Sequence, residues 1–434
     1  MNIVKHISIP AATLALLTAA SSCQQDELTG HVDDNAQGIR FTAYTDAVTR
    51  GAEVTSDNLG SFKVYAFGDG SASQYDWDDT FTGSGNSWTP ASSITYRWPG
   101  DGTALKFYAY NADAFLWWSP SVDEAYPEYG WIVPTMERDG AASGGLRTTL
   151  QYYTPEHSSE HQDLVVAYAT GDNNANNKGA TPVALNFKHA LARIDIKFEN
   201  SQPDLYKVEI YGIKLKRYKM RGTFSMPATV TSADNCDIES CWTLENNISV
   251  ENGGATRSYD RVIPGKDASE SILTLDNATV KPFANSANPI YMIPQTTNAW
   301  NAPADGIGTG DNGGTYIAVQ CAIYQKMTAS GTFKKIFPNE GISASNSEYG
   351  WTAVGVPAGW KPGKRYTYTL SFFKDGGGAG VTPPKDNDNS TADDDLPSYN
   401  HVVGGKLTWT VTVDGWGNAS GNIDYDNSHG SPAN

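Results

Sequence analysis

ALARIDIKFEN, at residues 190–200, alternates apolar and polar side chains along almost its whole length. Ile194, Ile196 and Phe198 fall on one side of an extended chain, and the charged residues between them fall on the other. This period of two is typical of a β-strand that buries one face and exposes the other to water. The segment therefore predicts a half-buried strand of an antiparallel sheet.

Runs of the same kind recur along the chain and are separated by turn residues. Many short strands with regular turns favour β-sandwiches, and no segment keeps a helical period for three turns. We therefore predict an all-β protein. The other runs are GIRFTAY (38–44), FKVYAFG (62–68), ALKFYAYN (104–111), DLVVAYATG (163–171), YKVEIYGIKLK (206–216), YIAVQCAIY (316–324), RYTYTLSFF (365–373) and KLTWTVTVDGW (406–416).

The composition agrees with strands and turns. Aromatic residues make up 11% of the 434 residues, charged residues only 18%, and there are 42 glycines. The formal net charge of -17 argues against a nucleic-acid partner and against electrostatic docking on anionic lipid. Four cysteines are too few for a disulfide scaffold in a chain of this length.

The N-terminus has the pattern of an export signal. Lys5 precedes a short apolar run at 7–20, and two serines lead directly to Cys23. The run is too short to span a bilayer, so we predict a cleaved signal peptide over 1–22. The ending resembles a bacterial lipobox, which predicts that Cys23 carries the acyl chains of a membrane anchor and that the lipid is the only membrane contact.

Breaks in the pattern divide the rest of the chain. A polar segment follows Cys23, the turn ENSQPDL (199–205) separates two strands, and a Gly-rich, acidic segment precedes the last strand. The predicted parts are a propeptide with a first strand at 23–50, a sandwich domain at 51–201, a second at 202–373, a flexible linker at 374–403, and a terminal strand and tail at 404–434.

Several phrases, in order, resemble the fimbrillin-like pilins, which are the subunits of type V pili. The resemblance spans roughly residues 38–416. Its phrases are FTAYTDAVTRGAEVTSDNLGSFKVYAF (41–67), YRWPGDGTALKFYAY (96–110), DLVVAYATG, VALNFKHALARIDIKFEN (183–200), IYGIKLKRYKMRGTFS (210–225), PIYMIPQ (289–295) and WKPGKRYTYTLSF (360–372).

The resemblance implies a fold, a location and a mode of assembly. The fold would be two tandem transthyretin-like Greek-key β-sandwich domains. The protein would be an outer-membrane lipoprotein at the cell surface, and part of a fimbrium after processing by a trypsin-like, Arg-specific protease. In this chain the cut would fall between Arg50 and Gly51. Subunits of the family then polymerise with other pilin subunits by donor-strand exchange.

The segment before Arg50 fits this mechanism. Ile39, Phe41 and Ala43 fall on one face of a strand. Removing that strand would leave an apolar groove with unpaired backbone groups, which a strand of another subunit could fill by β-strand addition.

The terminal run KLTWTVTV leaves two interpretations open. Leu407, Trp409, Val411 and Val413 alternate with threonines, and the predicted linker before them could reach a neighbouring subunit. The run is thus either a donor strand or the last strand of its own domain, since alternation does not say which sheet a strand joins. The polar tail at 417–434 suits a groove poorly and departs from the C-terminus of a shaft-type subunit, so a minor, tip or accessory subunit is the alternative to a shaft role.

An aromatic cluster offers an alternative function. Trp117, Trp118 and Trp131 lie amid Pro and Gly, where rings can stack on sugars. The chain would then be a surface lipoprotein that binds glycans or a host protein receptor and does not polymerise. The same rings can instead close one end of a sandwich, and burial is the commoner fate of aromatic residues.

We expect no enzyme, metal or cofactor. His157, Glu160 and His161 match an H-x-x-E-H spelling, but the surrounding Pro and Ser favour a loop over the helix that such zinc sites need. His189 is predicted to be a hydrogen-bonded structural histidine. Cys236 and Cys241 either form a small-loop disulfide or remain thiols.

Overall fold

The structure is a computed structural model that describes residues 38–45, 59–111, 131–139, 145–154, 161–226, 239–245, 259–262, 272–283, 290–302, 311–338, 348–383, 400–415 and 425–426. Within these ranges the regular elements are β-strands and short 3-10 turns, with no α-helix. The all-β prediction is confirmed.

The strands follow the apolar runs of the sequence. Their bounds are β1 Phe41–Thr45, β2 Ser61–Gly68, β3 Trp77–Ser84, β4 Ser87–Pro90, β5 Leu105–Tyr110, β6 Trp131–Arg138, β7 Leu146–Tyr153, β8 Val165–Gly171, β9 Val183–His189, β10 Ala192–Asn200, β11 Tyr206–Lys216, β12 Arg221–Ser225, β13 Trp242–Leu244, β14 Tyr259–Val262, β15 Leu273–Leu275, β16 Lys281–Pro282, β17 Ile290–Met292, β18 Tyr316–Lys326, β19 Phe333–Phe337, β20 Gly350–Gly355, β21 Lys364–Phe372, β22 Thr408–Gly415 and β23 Tyr425–Asp426.

The N-terminal half is built on a seven-stranded sheet in the order β1-β9-β8-β5-β2-β3-β4. Its pairs are antiparallel except β1 and β9, which run parallel. The sheet curls until the segment before β1 meets the segment after β4, where the Ile39 N–H donates to the Tyr96 carbonyl oxygen at 2.7 Å. The concave face encloses one core, which includes Phe62, Phe107 and Phe187.

The convex face of the same sheet is also covered. A four-stranded sheet in the order β13-β12-β7-β6 packs on it, with Leu150 and Tyr152 of β7 in the shared core. Adjacent residues of β8 therefore pack into different cores. Val165 lies in the core on the concave face, and Val166 lies in the core on the convex face. This explains why β8 is a continuous apolar run and does not alternate.

The C-terminal half is a two-sheet sandwich. One sheet has the order β16-β10-β21-β22-β23, with β17 also on β10, and is called the β10 sheet. The other has the order β14-β11-β18-β19, with β15 on β11 and β20 on β18, and is called the β11 sheet. Between them lies the largest core, formed by Ile194, Ile196 and Phe198 together with residues of the facing strands.

Strand pairing crosses the predicted boundary at residues 201 and 202 in both directions. β10 lies before it but pairs in parallel with β21, and β12 and β13 lie after it but join the sheet that contains β7. The turn at 199–205 therefore connects β10 and β11, which belong to facing sheets of one sandwich. A polar turn marks the end of a strand, and the same signal occurs within domains and between them.

Candidate functional site: the first strand and the groove it fills

Strand β1 alternates between the core and the solvent, as its sequence predicts. Ile39, Phe41 and Ala43 are 6%, 1% and 2% exposed. Arg40 and Tyr44 face outward, and Tyr44 is 48% exposed. All three inward side chains of this short strand are therefore buried in the N-terminal core.

Phe41 occupies the centre of that core. Its ring meets the rings of Phe81, Phe107 and Phe62 edge to face, with centroid distances of 4.9, 5.3 and 6.1 Å. Edge-to-face pairs of this kind contribute about 0.5–1.5 kcal/mol each beyond the burial of apolar area. Without Phe41, three buried rings would border an empty space.

The backbone of β1 is held on both sides. Along one side it pairs with β9, from Phe41 opposite Val183 to Thr45 opposite Phe187, and the Val183 N–H donates to the Arg40 carbonyl oxygen at 2.8 Å. On the other side the Tyr96 carbonyl oxygen accepts from Ile39. We call residues 92–96 the Tyr96 strap.

A buried carboxylate fixes the Tyr96 strap. The Asp79 carboxylate accepts hydrogen bonds from the Tyr96 hydroxyl at 3.0 Å, from the Thr80 N–H at 2.7 Å and from the Ser92 hydroxyl. Burial acts to raise the pKa of Asp79, but these hydrogen bonds outweigh it and hold the pKa below its ordinary value. The Trp77 ring stacks on the Tyr96 ring at 3.9 Å.

Arg40 anchors the outer face of β1. Its guanidinium donates to the carbonyl oxygens of Gly179, at 3.0 and 3.2 Å, and of Ala180, at 2.5 Å. These acceptors lie in the turn before β9. Sequence reasoning missed Arg40, Asp79 and the Tyr96 strap, because their partners are far away along the chain and no local pattern signals them.

Several predicted site residues lie outside the described residues. They are Cys23, Arg50, Gly51, Trp117 and Trp118. Arg50 belongs to residues 46–58, which connect β1 to the described chain before β2. Trp131 is the first residue of β6, and its side chain lies outside the described part of the structure.

The terminal strand lies in its own sandwich, which was one of the two predicted alternatives. β22 pairs antiparallel with β21, with Trp409 opposite Leu370 and Val411 opposite Tyr368. Leu407, Trp409 and Val411 are buried in the C-terminal core, and Val413 packs partly buried against it. The Trp409 indole N–H also donates to the Gly355 carbonyl oxygen of the β11 sheet at 3.0 Å.

The ends of the predicted linker at 374–403 are paired and do not form a free tether. Residues 376–380 run against 403–406 and form what we call the glycine clasp. The Gly378 N–H donates to the Lys406 carbonyl oxygen at 2.9 Å, and the Ala379 N–H donates to the Val403 carbonyl oxygen at 2.8 Å. Glycines here allow two backbones to touch, since a Cβ on Gly378 would lie 2.2 Å from backbone atoms of Val403 and Gly405. Residues 384–399 lie outside the described residues.

The buried histidines have structural partners. His189 Nδ1 is 2.7 Å from Asp163 Oδ2 in a pair that is almost fully enclosed, as expected for a hydrogen-bonded structural histidine. His161 Nδ1 accepts from the Tyr291 N–H at 2.8 Å, while His157 and Glu160 lie outside the described residues. In the part of the chain that the structure describes, no group of three His, Cys, Asp or Glu residues is arranged to hold a metal ion.

Comparison with known proteins identifies the family. A family model described as fimbrillin-like matches residues 47–383, which is most of the chain. The chain belongs to the fimbrillin-like family. The resemblance seen in the sequence is thereby confirmed.

A fimbrium subunit and a fimbrial protein are among the proteins similar to this fimbrillin-like chain. The fimbrium subunit Fim1C of Phocaeicola vulgatus is 26% identical over 231 residues, which cover 49% of this chain and 56% of that relative. The match thus spans little more than half of the relative. A crystal structure of a fimbrial protein from Bacteroides vulgatus is 16% identical and has a TM-score of 0.49, covering 88% of this chain and 99% of the other.

The described ranges of this fimbrillin-like chain contain no helix that is both long enough and apolar enough to cross a bilayer.

Proposed function

We propose that this fimbrillin-like protein is a subunit of a surface fimbria. It is exported as an outer-membrane lipoprotein through Cys23, cut after Arg50 by an Arg-specific, trypsin-like protease, and polymerised when a strand of another subunit replaces β1. Family membership and the name of the similar Phocaeicola vulgatus protein support the fimbrial role. The assembly steps are those that the family resemblance implies, assigned here to the residues of this chain.

The observation that carries the proposal is the position of β1. It is an edge strand of the seven-stranded sheet, yet its inward side chains complete the core. An edge strand can leave without breaking a ladder between two other strands. Its departure would uncover the β9 edge and the three phenylalanines around Phe41, and a new strand would restore both.

The positions of the two arginines before β2 favour Arg50 over Arg40 as the cleavage site. The Arg40 backbone accepts from Val183, and its guanidinium is engaged by the turn at Gly179 and Ala180. A protease needs the scissile segment extended in its own cleft, so a residue in a sheet ladder is protected. Arg50 follows β1, and a cut there separates the whole strand from β2.

Two arginine variants test the proposal in the producing bacterium. We expect Arg50→Ala to keep the acylated Cys23 at its N-terminus and to remain monomeric, because β1 stays covalently attached. Arg40→Ala is the matched control, and it should be processed to a chain that begins at Gly51. Intact mass, N-terminal sequencing and the size of fimbrial material from the cell surface give the answer.

Normal polymers from the Arg50→Ala variant would refute cleavage at this site. A wild-type protein that keeps Cys23 lipidated at the cell surface would refute release of β1. That second result would favour the alternative of a surface lipoprotein that binds glycans or a host protein.

A further inference from the structure

We propose that the hairpin between β18 and β19 binds acidic polysaccharides, whose sugar rings carry carboxylate groups. It comprises residues 325–335, which we call the lysine hairpin. It lies at the end of the C-terminal sandwich where β10 finishes, and there the Lys326 N–H donates to the Leu205 carbonyl oxygen at 2.8 Å. This inference goes beyond the fimbrial role and does not depend on whether β1 is exchanged.

The lysine hairpin is a basic segment of an acidic chain. The formal net charge of the protein is -17, yet no Asp or Glu occurs between Asp311 and Glu340. That stretch contains Lys326, Lys334 and Lys335. Among the described residues, the ion pairs of lysine involve none of these three ammonium groups. Their charge is therefore available to attract an anionic ligand.

An exposed phenylalanine lies between two of the lysines. Phe333 is 40% exposed and stands opposite Lys326 across the ladder. It also shares a face of β19 with Lys335, because residues two apart in a strand point the same way. Opposite residues in a ladder are about 5 Å apart, and residues two apart in a strand are about 7 Å apart. A sugar ring on the phenyl face would thus place its carboxylate within reach of an ammonium group.

The lysine hairpin is exposed but its backbone is ordered by hydrogen bonds. Every residue from 325 to 334 is exposed. The Met327 N–H donates to the Thr332 carbonyl oxygen, and the Gly331 N–H donates to the Met327 carbonyl oxygen, both at 2.8 Å. Gly331 has a φ of +68°, which glycine adopts without strain. A backbone that is already ordered loses less conformational entropy when a ligand binds.

Protection of a sheet edge does not by itself account for this composition. β19 lies at the edge of the β11 sheet, and lysines on an edge strand discourage pairing with other chains. The exposed Phe333 works against such protection, because apolar surface promotes association. Phenylalanine beside lysine does suit an acidic sugar, which presents an apolar C–H face and a carboxylate together.

The surrounding charges favour a single polymer chain over a broad anionic surface. Asp204 and Glu348 are exposed on segments that adjoin the base of the hairpin. Together with the net charge of -17, they would repel a membrane or a nucleic acid that spread over this end of the sandwich. A polysaccharide chain needs to contact only the hairpin itself.

Binding to oligogalacturonate, a polymer of carboxylated sugars, tests the inference. The chain from Gln24 onward is titrated into the fluorescent polymer, and binding is followed by anisotropy. Salt is kept at about 50 mM, because higher ionic strength screens exposed charges. Fluorescent dextran supplies sugar without charge, and fluorescent poly-glutamate supplies carboxylates without sugar. We expect binding to oligogalacturonate, weaker binding to poly-glutamate and none to dextran.

The triple variant Lys326→Gln, Lys334→Gln, Lys335→Gln should bind oligogalacturonate about tenfold more weakly, because three exposed charge interactions are lost. Phe333→Ser should weaken that binding about threefold to tenfold and leave poly-glutamate binding unchanged, because only the sugar uses the ring. Lys326→Gln alone keeps both lysines of the edge strand. It therefore measures binding even if the triple variant aggregates.

A second triple variant is the matched control, since it removes the same charge from lysines that already have carboxylate partners. It combines Lys106→Gln, Lys281→Gln and Lys361→Gln. Its binding should stay within about twofold of wild type, because these lysines lie outside the hairpin. Circular dichroism checks that each variant is folded.

Equal binding by the wild type and the folded hairpin variants would overturn the inference. An equal loss in the control variant would show that net charge, and not the hairpin, determines binding. Poly-glutamate that binds as tightly as oligogalacturonate would overturn the assignment to a sugar. A wild-type protein that binds neither polymer would refute the site and leave the proposed fimbrial role untouched.

Discussion

Trp409 of β22 and Gly355 of β20 join the two sheets of the C-terminal sandwich by a hydrogen bond of 3.0 Å between the indole N–H and the carbonyl oxygen. Trp409 is 7% exposed and also lies edge to face with Tyr368, at 5.9 Å between ring centroids. The terminal strand is thus held by a polar bond across the core as well as by its own ladder.

Replacing Trp409 with Phe should destabilise the C-terminal sandwich by about 1–3 kcal/mol, because the Gly355 carbonyl loses its donor and the smaller ring leaves space. Urea unfolding followed by circular dichroism measures the change. Thr410→Val, on the exposed side of the same strand, is the control and should shift stability by less than about 0.5 kcal/mol. An unchanged Trp409→Phe midpoint would contradict the role given to this bond.

Replacing Gly378 with Ala should open the glycine clasp. Its Cβ would lie 2.2 Å from the Gly405 nitrogen and from the Val403 oxygen, and both are backbone atoms that cannot rotate away. We expect a loss of about 1–3 kcal/mol and faster amide exchange in β22. Gly359→Ala is the matched control, because its Cβ would meet no atom within 4 Å. Equal exchange rates in the two variants would refute the clasp.

The Tyr96 strap should loosen in acid. The pKa of Asp79 is lowered in the folded protein, since hydrogen bonds to the carboxylate outweigh the effect of burial. Its contribution is therefore fully present above the unfolded pKa, about 3.9, and is lost as the pH falls through the lower folded value. Asp79→Asn should be less stable than wild type at neutral pH, and the gap should begin to narrow below about pH 4 and close below the folded pKa of Asp79. Thermal unfolding between pH 7 and 2.5 tests this, and a constant gap would contradict it.

The Cys321 thiol should be unreactive toward alkylating reagents in the folded protein. It is fully buried in the C-terminal core, and burial raises the pKa of its thiol because the thiolate would lose its hydration. Iodoacetamide at about pH 8.5 should leave Cys321 unlabelled in native buffer and label it in urea. Peptide mapping by mass spectrometry separates it from the other cysteines. Rapid labelling of Cys321 in native buffer would show that the core opens at β18.

The sequence predicted which faces are buried better than it predicted which strands pair. Alternation in 39–43 identified Ile39, Phe41 and Ala43 as inward residues, and the structure buries all three. The same period could not show that β1 pairs with β9, because the partner begins at Val183 and the pairing depends on closure of the whole sheet.

Glycine and turn signals were harder to interpret. The run GGGAG at 376–380 has the composition of a flexible tether, yet there the missing side chains permit a backbone contact with Gly405. The turn at 199–205 has the composition of a boundary, yet it joins facing sheets. Local composition indicates how flexible the backbone of a segment can be. Only the folded structure shows which contacts that segment makes.

The backbone pairing just beyond the glycine clasp, at Thr382 and Asn400, gives this chain a place where its length can change. The Thr382 N–H donates to the Asn400 carbonyl oxygen at 2.8 Å, so the described chain before residue 384 and after residue 399 meets at one point of the sandwich. Closing a loop costs only about 0.6 kcal/mol more for each doubling of its length. Evolution, or an engineer who wishes to display a foreign epitope, can lengthen this stretch while the register of β22 stays as it is.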